Sequence, residues 1–326
     1  MDPRALLDAG LEISIAGSFT RIGPAVRRRL VGWSAPPAGT MAGRTVLVTG
    51  PTSGLGRAAT DELAALGARV VLVGRSAERL AHLRDELVGV HGEDRFPVVV
   101  ADMGSLASVR AAVARILETE SRLDVLIDNA GAIYPERIEG PDGIEATLAV
   151  LVVGPFALVA GLLPLLRRTP DARVIAVTSG GMYFQRLDLD DLQSRGGEFS
   201  GARAYAKSKR AQIALVREWS RRLAGSGVSF VVMHPGWADT PGLAETLPAF
   251  YGRMRPLLRT PADGADTITW LATHPEPATT SGRLYLDRRP RPFDRIPSTR
   301  LTAADRRRLW DEIVALSGEV DPAAVG

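Results

Sequence analysis

The chain of 326 residues has no cysteine, which excludes disulfides, thiolate nucleophiles and zinc–cysteine centres together. Histidine is scarce. His82, His91, His234 and His274 lie too far apart for a metal helix or finger, so no metal site is expected. Charge of one sign is not in large excess either: 40 cations face 37 anions for a net +3, and no nucleic-acid partner is expected. Lysine is almost missing. All but two of the cations are arginine, and the two lysines, Lys207 and Lys209, sit together in Tyr205-Ala206-Lys207-Ser208-Lys209. A compact ammonium is a point donor where guanidinium is a wide fork, so this pair draws attention in a chain that otherwise uses arginine.

The first 33 residues lack a secretory pattern, because Asp2, Arg4, Asp8 and Glu12 interrupt any apolar core, and a cytoplasmic location is expected. Phe19, Ile22, Val26, Leu30 and Trp33 recur at helical spacing beside Arg27, Arg28 and Arg29. This predicts one basic amphipathic helix, either packed on its own domain or lying peripherally on an anionic membrane. Residues 34–43, rich in proline, alanine and glycine, read as a linker.

From residue 45 onward, apolar strand-like runs (45–49, 69–73, 97–101, 123–127, 173–178 and 229–233) alternate with helical patterns near 54–66, 76–89, 105–118, 143–167 and 203–224. Continuous apolar strands separated by helices predict a parallel sheet covered on both faces. Leu148 to Leu166 carries no charge and is long enough to span a membrane. Gly154, Pro155 and Pro164 interrupt it and it occupies a helix slot between strands, so a buried helix, partly at an oligomer interface, is expected instead. A short strand at 283–286 and a last helix at about 302–316 complete the pattern. The fold class is an α/β Rossmann-type doubly wound sheet, with an amphipathic extension and linker at 1–42, the central domain at 43–290 and a helical extension at 291–326.

Directly after the first strand comes Gly50-Pro51-Thr52-Ser53-Gly54-Leu55-Gly56, then a helical pattern. Glycines there permit a tight turn and close approach of backbone amides to a pyrophosphate at the positive helix end. The end of the second strand holds Gly74-Arg75-Ser76 rather than the acidic residue that would hold a ribose 2′-hydroxyl. Arg75 can pair with a 2′-phosphate, which favours NADP (NADPH/NADP+), and Arg57 offers a second cation.

The glycine turn, Asp128-Asn129-Ala130-Gly131, Ser179 after the fifth strand, and Tyr205-x-x-x-Lys209 together resemble the short-chain dehydrogenase/reductase (SDR) family over about residues 43–290. Ser179-Gly180-Gly181-Met182 and His234-Pro235-Gly236-Trp237 look like its branch called dehydrogenase/reductase member twelve. The resemblance implies an oxidoreductase in which Tyr205 is the acid or base, Lys209 its partner and holder of the nicotinamide ribose, and Ser179 the hydroxyl that orients the substrate carbonyl. It also implies that Asp102 and Met103 flank the adenine, that Asn129, Ala130 and Gly131 support the cofactor, that Pro235, Gly236 and Thr240 border the nicotinamide, and that the chain forms homo-oligomers. A free phenol has a pKa of about 10, so an ammonium and the oxidised nicotinamide are expected to bring Tyr205 down by two to three units, roughly 3–4 kcal/mol.

Two positions depart from the family. Leu151 stands where the family has an asparagine thought to link the lysine to solvent through a water, and Asp128 replaces the first asparagine of Asn-Asn-Ala-Gly. The leading expectation is an NADP-dependent enzyme interconverting a carbonyl and an alcohol on an apolar small molecule, with Leu243, Leu247, Phe250, Tyr251, Met254, Leu257 and Leu258 forming a greasy lid. Because of Leu151, a nucleotide-binding sensor or interaction protein with weak turnover is the competing reading. An epimerase or dehydratase comes third, since nothing marks a nucleotide-sugar site and fold does not settle reaction type.

Overall fold

A computed structural model describes residues 3–324, so Asp2 and the final two positions of the chain lie outside the described residues. Eight strands form one sheet in the order β3-β2-β1-β4-β5-β6-β7-β8. They are β1 (Thr45–Thr49), β2 (Arg69–Gly74), β3 (Val98–Val100), β4 (Val125–Asp128), β5 (Arg173–Val177), β6 (Ser229–Met233), β7 (Arg283–Leu286) and β8 (Arg289–Arg291). β1 to β7 pair in parallel, and β8 returns antiparallel on β7. The expected parallel sheet is therefore present. Every residue of β1, β4, β5 and β6 is buried, as strands covered on both faces require. β8 was not anticipated; Arg-Pro-Arg has no strand signature, and it pairs because Asp287 and Arg288 adopt positive φ values and turn the chain back onto β7. It straddles position 290.

The helices are α1 (Pro3–Ile13), α2 (Ile15–Phe19), α3 (Ile22–Val31), α4 (Gly54–Ala65), α5 (Ala77–His91), α6 (Leu106–Thr119), α7 (Ala146–Leu148), α8 (Gly154–Arg167), α9 (Gly201–Arg222), α10 (Pro241–Thr246), α11 (Pro248–Met254), α12 (Pro261–Thr273), α13 (Glu276–Thr279) and α14 (Ala303–Ser317). Side-chain oxygens of Ser76, Ser105, Ser200, Thr240, Thr260 and Thr302 cap helix starts, satisfying amides that have no partner within the helix. One core lies between the sheet and α6, α8, α9 and α14, the other between the sheet and α4, α5 and α12. The single helix expected over 143–167 is instead α7, a π-helical turn at Ala149–Val153 and α8. The uncharged run is largely buried within the protein, and Trp310 of α14 packs on its Phe156 and on Trp219 of α9 at 5.1 and 4.7 Å.

The single helix expected from Phe19 to Trp33 is corrected, since the chain breaks between α2 and α3; of the two placements expected for it, packing on its own domain is the one observed. Phe19 is fully buried, and the buried Arg27 pairs with Asp8 at 2.7 Å, Glu12 at 2.8 Å and Asp287 at 2.5 Å. Burial opposes the charge on Asp8, but hydrogen bonds from Arg291 and Arg27 outweigh it and hold this carboxyl well below the usual range. Phe19 and Arg27 are thus not presented to a lipid surface, while Leu6, Leu7 and Ile13 of α1 are exposed.

Candidate active site

The site opens at the carboxyl ends of the strands, where the order reverses between β1 and β4 and chains leave to opposite faces. A cleft of about 580 Å³ runs across this edge. At one end, Gly50 and Gly54 have φ of +66° and +54°, which side chains rarely tolerate. A Cβ on Gly56 would lie 2.1 Å from the Gly50 carbonyl and 2.4 Å from Asn129 Nδ2, so the first turn of α4 can sit this close only without one. Asn129 ties the turn to β4, donating from Nδ2 to the Thr49 and Gly50 carbonyls at 2.9 and 3.2 Å, and Thr49 Oγ1 accepts from the Asn129 and Ala130 amides, each at 2.9 Å. The result is a side-chain-free cradle at a helix N-terminus, which suits a pyrophosphate.

Gly50, Thr52, Ser53, Gly54 and Leu55 line this end, as do Arg75, Asp102, Met103, Asn129, Ala130 and Gly131; Gly56 lies behind the turn. Asp102 also receives the Gly104 amide at 2.8 Å, and Ser105 caps α6. Arg57 is drawn to Asp61 and Glu86 at 2.9 and 2.7 Å, and the cation that lines this end together with the exposed Arg75 is Arg79, in the first turn of α5. Sequence spacing alone did not single out Arg79, because which face of α5 meets the cleft is decided by packing of Leu80, Leu83 and Leu87 under it.

At the middle of the cleft Tyr205 and Lys209 stand four residues apart on α9, with the Lys209 Nζ 5.6 Å from the Tyr205 ring centre. Ser179, two residues past the end of β5, lines the cleft with Tyr205, and its hydroxyl favours the Tyr205 phenolate. Burial pushes Tyr205 up to about 12, and the Ser179 hydroxyl only partly opposes this; the lowering expected of Tyr205 belongs to the protein with its oxidised nicotinamide bound. Lys209 directs its ammonium into the Val177 carbonyl at 2.7 Å, and burial pushes its own pKa down from the lysine range, against the pull of Asp128. Lys207 points away, donating to the Asp191 carbonyl and, at 3.2 Å, to Ser194.

The other end is apolar. Ile133, Tyr134, Trp237, Leu243, Leu247 and Phe250 face it, with Pro235, Gly236 and Thr240 at the junction. Of the seven lid residues expected, Leu243, Leu247 and Phe250 line the cleft; Tyr251 instead donates to Asp239 at 2.9 Å, and Leu258 is buried below. Phe250 meets Trp237 edge-on at 5.1 Å.

The N-terminal arm supports this wall. The Phe19 ring lies 4.8 Å from His234 and 5.8 Å from Trp237, and a Cβ on Gly180 would come within 2.5 Å of it. Its carbonyl accepts from the Trp237 amide at 2.7 Å and from Arg259 Nε at 3.0 Å. Nothing in the local pattern marks Phe19 for this place.

The model of the short chain dehydrogenase family matches residues 44–188. Dehydrogenase/reductase SDR family member 12 of Bos taurus is 39% identical over 77% of this chain and 78% of its own length. Human retinol dehydrogenase 14 is 36% identical over 89% of this chain and 90% of its own. Among solved structures, the Pseudomonas aeruginosa RhlG/NADP active-site complex is 28% identical with a TM-score of 0.63, covering 77% of this chain and 96% of that one. The chain belongs to the short-chain dehydrogenase/reductase family of oxidoreductases, whose members use a nicotinamide cofactor on small-molecule carbonyls and alcohols.

Proposed function

We propose that this member of the family is an NADP-dependent reductase of apolar ketones or aldehydes, with Tyr205 as the proton donor. The observation that carries the reading is the position of Tyr205: a phenol kept protonated by burial, on the cleft with Ser179 and between a phosphate cradle and an apolar wall. A bound nicotinamide dinucleotide supplies the hydride. Gly50, Thr52, Ser53, Gly54 and Leu55 would hold its pyrophosphate, with Gly56 letting the turn pack close behind them, Asp102 and Met103 its adenine, and Asn129, Ala130 and Gly131 the turn beneath it. Lys209 would hold the nicotinamide ribose, with Pro235, Gly236 and Thr240 bordering the ring. Arg75 and Arg79 favour a 2′-phosphate, and the similar P. aeruginosa protein is described as an NADP complex.

Ser179 donates to the substrate oxygen and stabilises the negative charge that develops on it. Tyr205 then gives that oxygen its proton, and the Lys209 ammonium stabilises the phenolate that remains. The apolar wall excludes water and selects a greasy substrate. The test is NADPH and NADH consumption against a panel of ketones and aldehydes graded in polarity. Turnover with NADPH that rises with substrate apolarity supports the reading. NADPH bound but consumed by no member of the panel supports the sensor alternative.

A further inference from the structure

Lys209 and Asp128 are both buried. They come from different elements: Asp128 ends β4, and Lys209 lies mid-way along α9. Tyr205, Lys209 and Gln212 follow one another at four and three residues, so they share one face of that helix. Gln212 reaches across to the sheet, its Nε2 donating to Asp128 Oδ2 at 3.2 Å and to the Leu151 carbonyl at 2.9 Å. This fixes the carboxylate while leaving its Oδ1 buried with no hydrogen-bond partner among the described residues. Val177, whose carbonyl receives the Lys209 ammonium, follows the β5 residue paired with Asp128.

A buried ammonium is stable only with a counter-charge, since otherwise it releases its proton. The fully buried Leu151 side chain offers it no acceptor. Burial pushes the Asp128 carboxyl up, opposed by the Lys209 charge and the Gln212 hydrogen bond, and burial pushes Lys209 down, opposed by Asp128, so each keeps the other's charge in place. Tyr205 from α9 is the remaining titratable group at this point, while β5 contributes the Val177 carbonyl and the adjoining Thr178 hydroxyl, both uncharged.

We infer that Asp128 is a positioning residue for the reaction, its buried carboxylate being the counter-charge that keeps Lys209 protonated beside Tyr205. The inference rests on the reading of Tyr205 and Lys209 given above. Without this carboxylate, Lys209 becomes a neutral amine at lower pH, and the phenolate left after proton donation loses its stabilising charge.

Because the chain has two lysines, the full-length protein labelled with ¹³C at lysine Cε gives two resonances, assigned with Lys207→Arg. Asp128→Asn keeps an oxygen for Gln212 Nε2 and removes the charge. The Lys209 resonance is expected to titrate at least tenfold more readily, its midpoint moving down by about one pH unit or more. The alkaline limb of NADPH-dependent carbonyl reduction moves the same way. Gln212→Met, which leaves the carboxylate in place without the bond that favours its charge, shifts both in the same direction by less, and serves if Asp128→Asn does not fold. A Lys209 midpoint unmoved in the folded variants overturns the inference. Absence of turnover in the unmodified chain, with the midpoint shifting as expected, overturns the reductase reading but leaves the Asp128–Lys209 pairing supported.

Discussion

Replacing Phe19 with alanine tests whether the N-terminal arm is part of the catalytic domain. The ring is fully buried against His234, Tyr183 and Trp237 and under Gly180. Truncating a buried phenylalanine removes its transfer free energy and leaves a cavity, together about 3–5 kcal/mol. The neighbours can close little of that space, because Arg259 beside it is fixed by Asp287 at 2.6 Å and His234 and Tyr183 are themselves fully buried. Phe19→Leu, which keeps most of the volume, costs about 1–2 kcal/mol. Chemical denaturation followed by tryptophan fluorescence measures both. Trp237 loses the edge it leans on, so KM for an apolar carbonyl rises several-fold in Phe19→Ala, while NADPH affinity, set at the opposite end of the cleft, changes little. A stability loss within about 0.5 kcal/mol, the range of surface substitutions, would refute the arm's place in the core.

Three other outcomes are expected. Arg75→Asp weakens NADPH by roughly tenfold or more relative to NADH, as loss of a charge-assisted contact implies, and fluorescence titration with the two cofactors reads the ratio; an unchanged ratio contradicts the 2′-phosphate assignment. His234 is fully buried with neither ring nitrogen partnered, and burial together with the Arg259 charge pushes it down to about 3. Its unfolded form protonates near 6.5, so it contributes stability that is present above pH 6.5 and lost progressively as pH falls toward 3. His234→Phe therefore flattens the fall in Tm between pH 6.5 and 4, and parallel curves for the two chains would refute this. Arg27→Met, which leaves Asp8, Glu12 and Asp287 facing one another with one cation fewer, costs about 3–5 kcal/mol at neutral pH, read by the same denaturation assay.

The central sheet was legible because its signals are local. Fully buried parallel strands must be continuously apolar, and β1, β6 and β7 lie where those runs placed them. The glycine turn was legible for a similar reason, since the close approach of Gly56 to Gly50 forbids any side chain. Features set by distant residues were not legible. Phe19 enters the core because Arg259 and Trp237 hold its carbonyl from some 220 to 240 positions away, and Arg57 leaves the cleft because Asp61 and Glu86 face it. Lys209, one turn along α9 from Tyr205, gives its ammonium to the Val177 carbonyl, an acceptor supplied by the backbone of a strand more than 30 positions away. The π-helical turn at Ala149–Val153 had no sequence signal, and it places the Leu151 carbonyl within reach of Gln212.

The most direct measurement compares the unmodified chain with Tyr205→Phe in NADPH-dependent reduction of an apolar ketone, alongside NADPH binding. Removing the hydroxyl that gives the proton should lower kcat by about 10²–10⁴-fold with the dissociation constant for NADPH nearly unchanged. A variant that binds NADPH and reduces the ketone as fast as the parent would show that the proton comes from elsewhere.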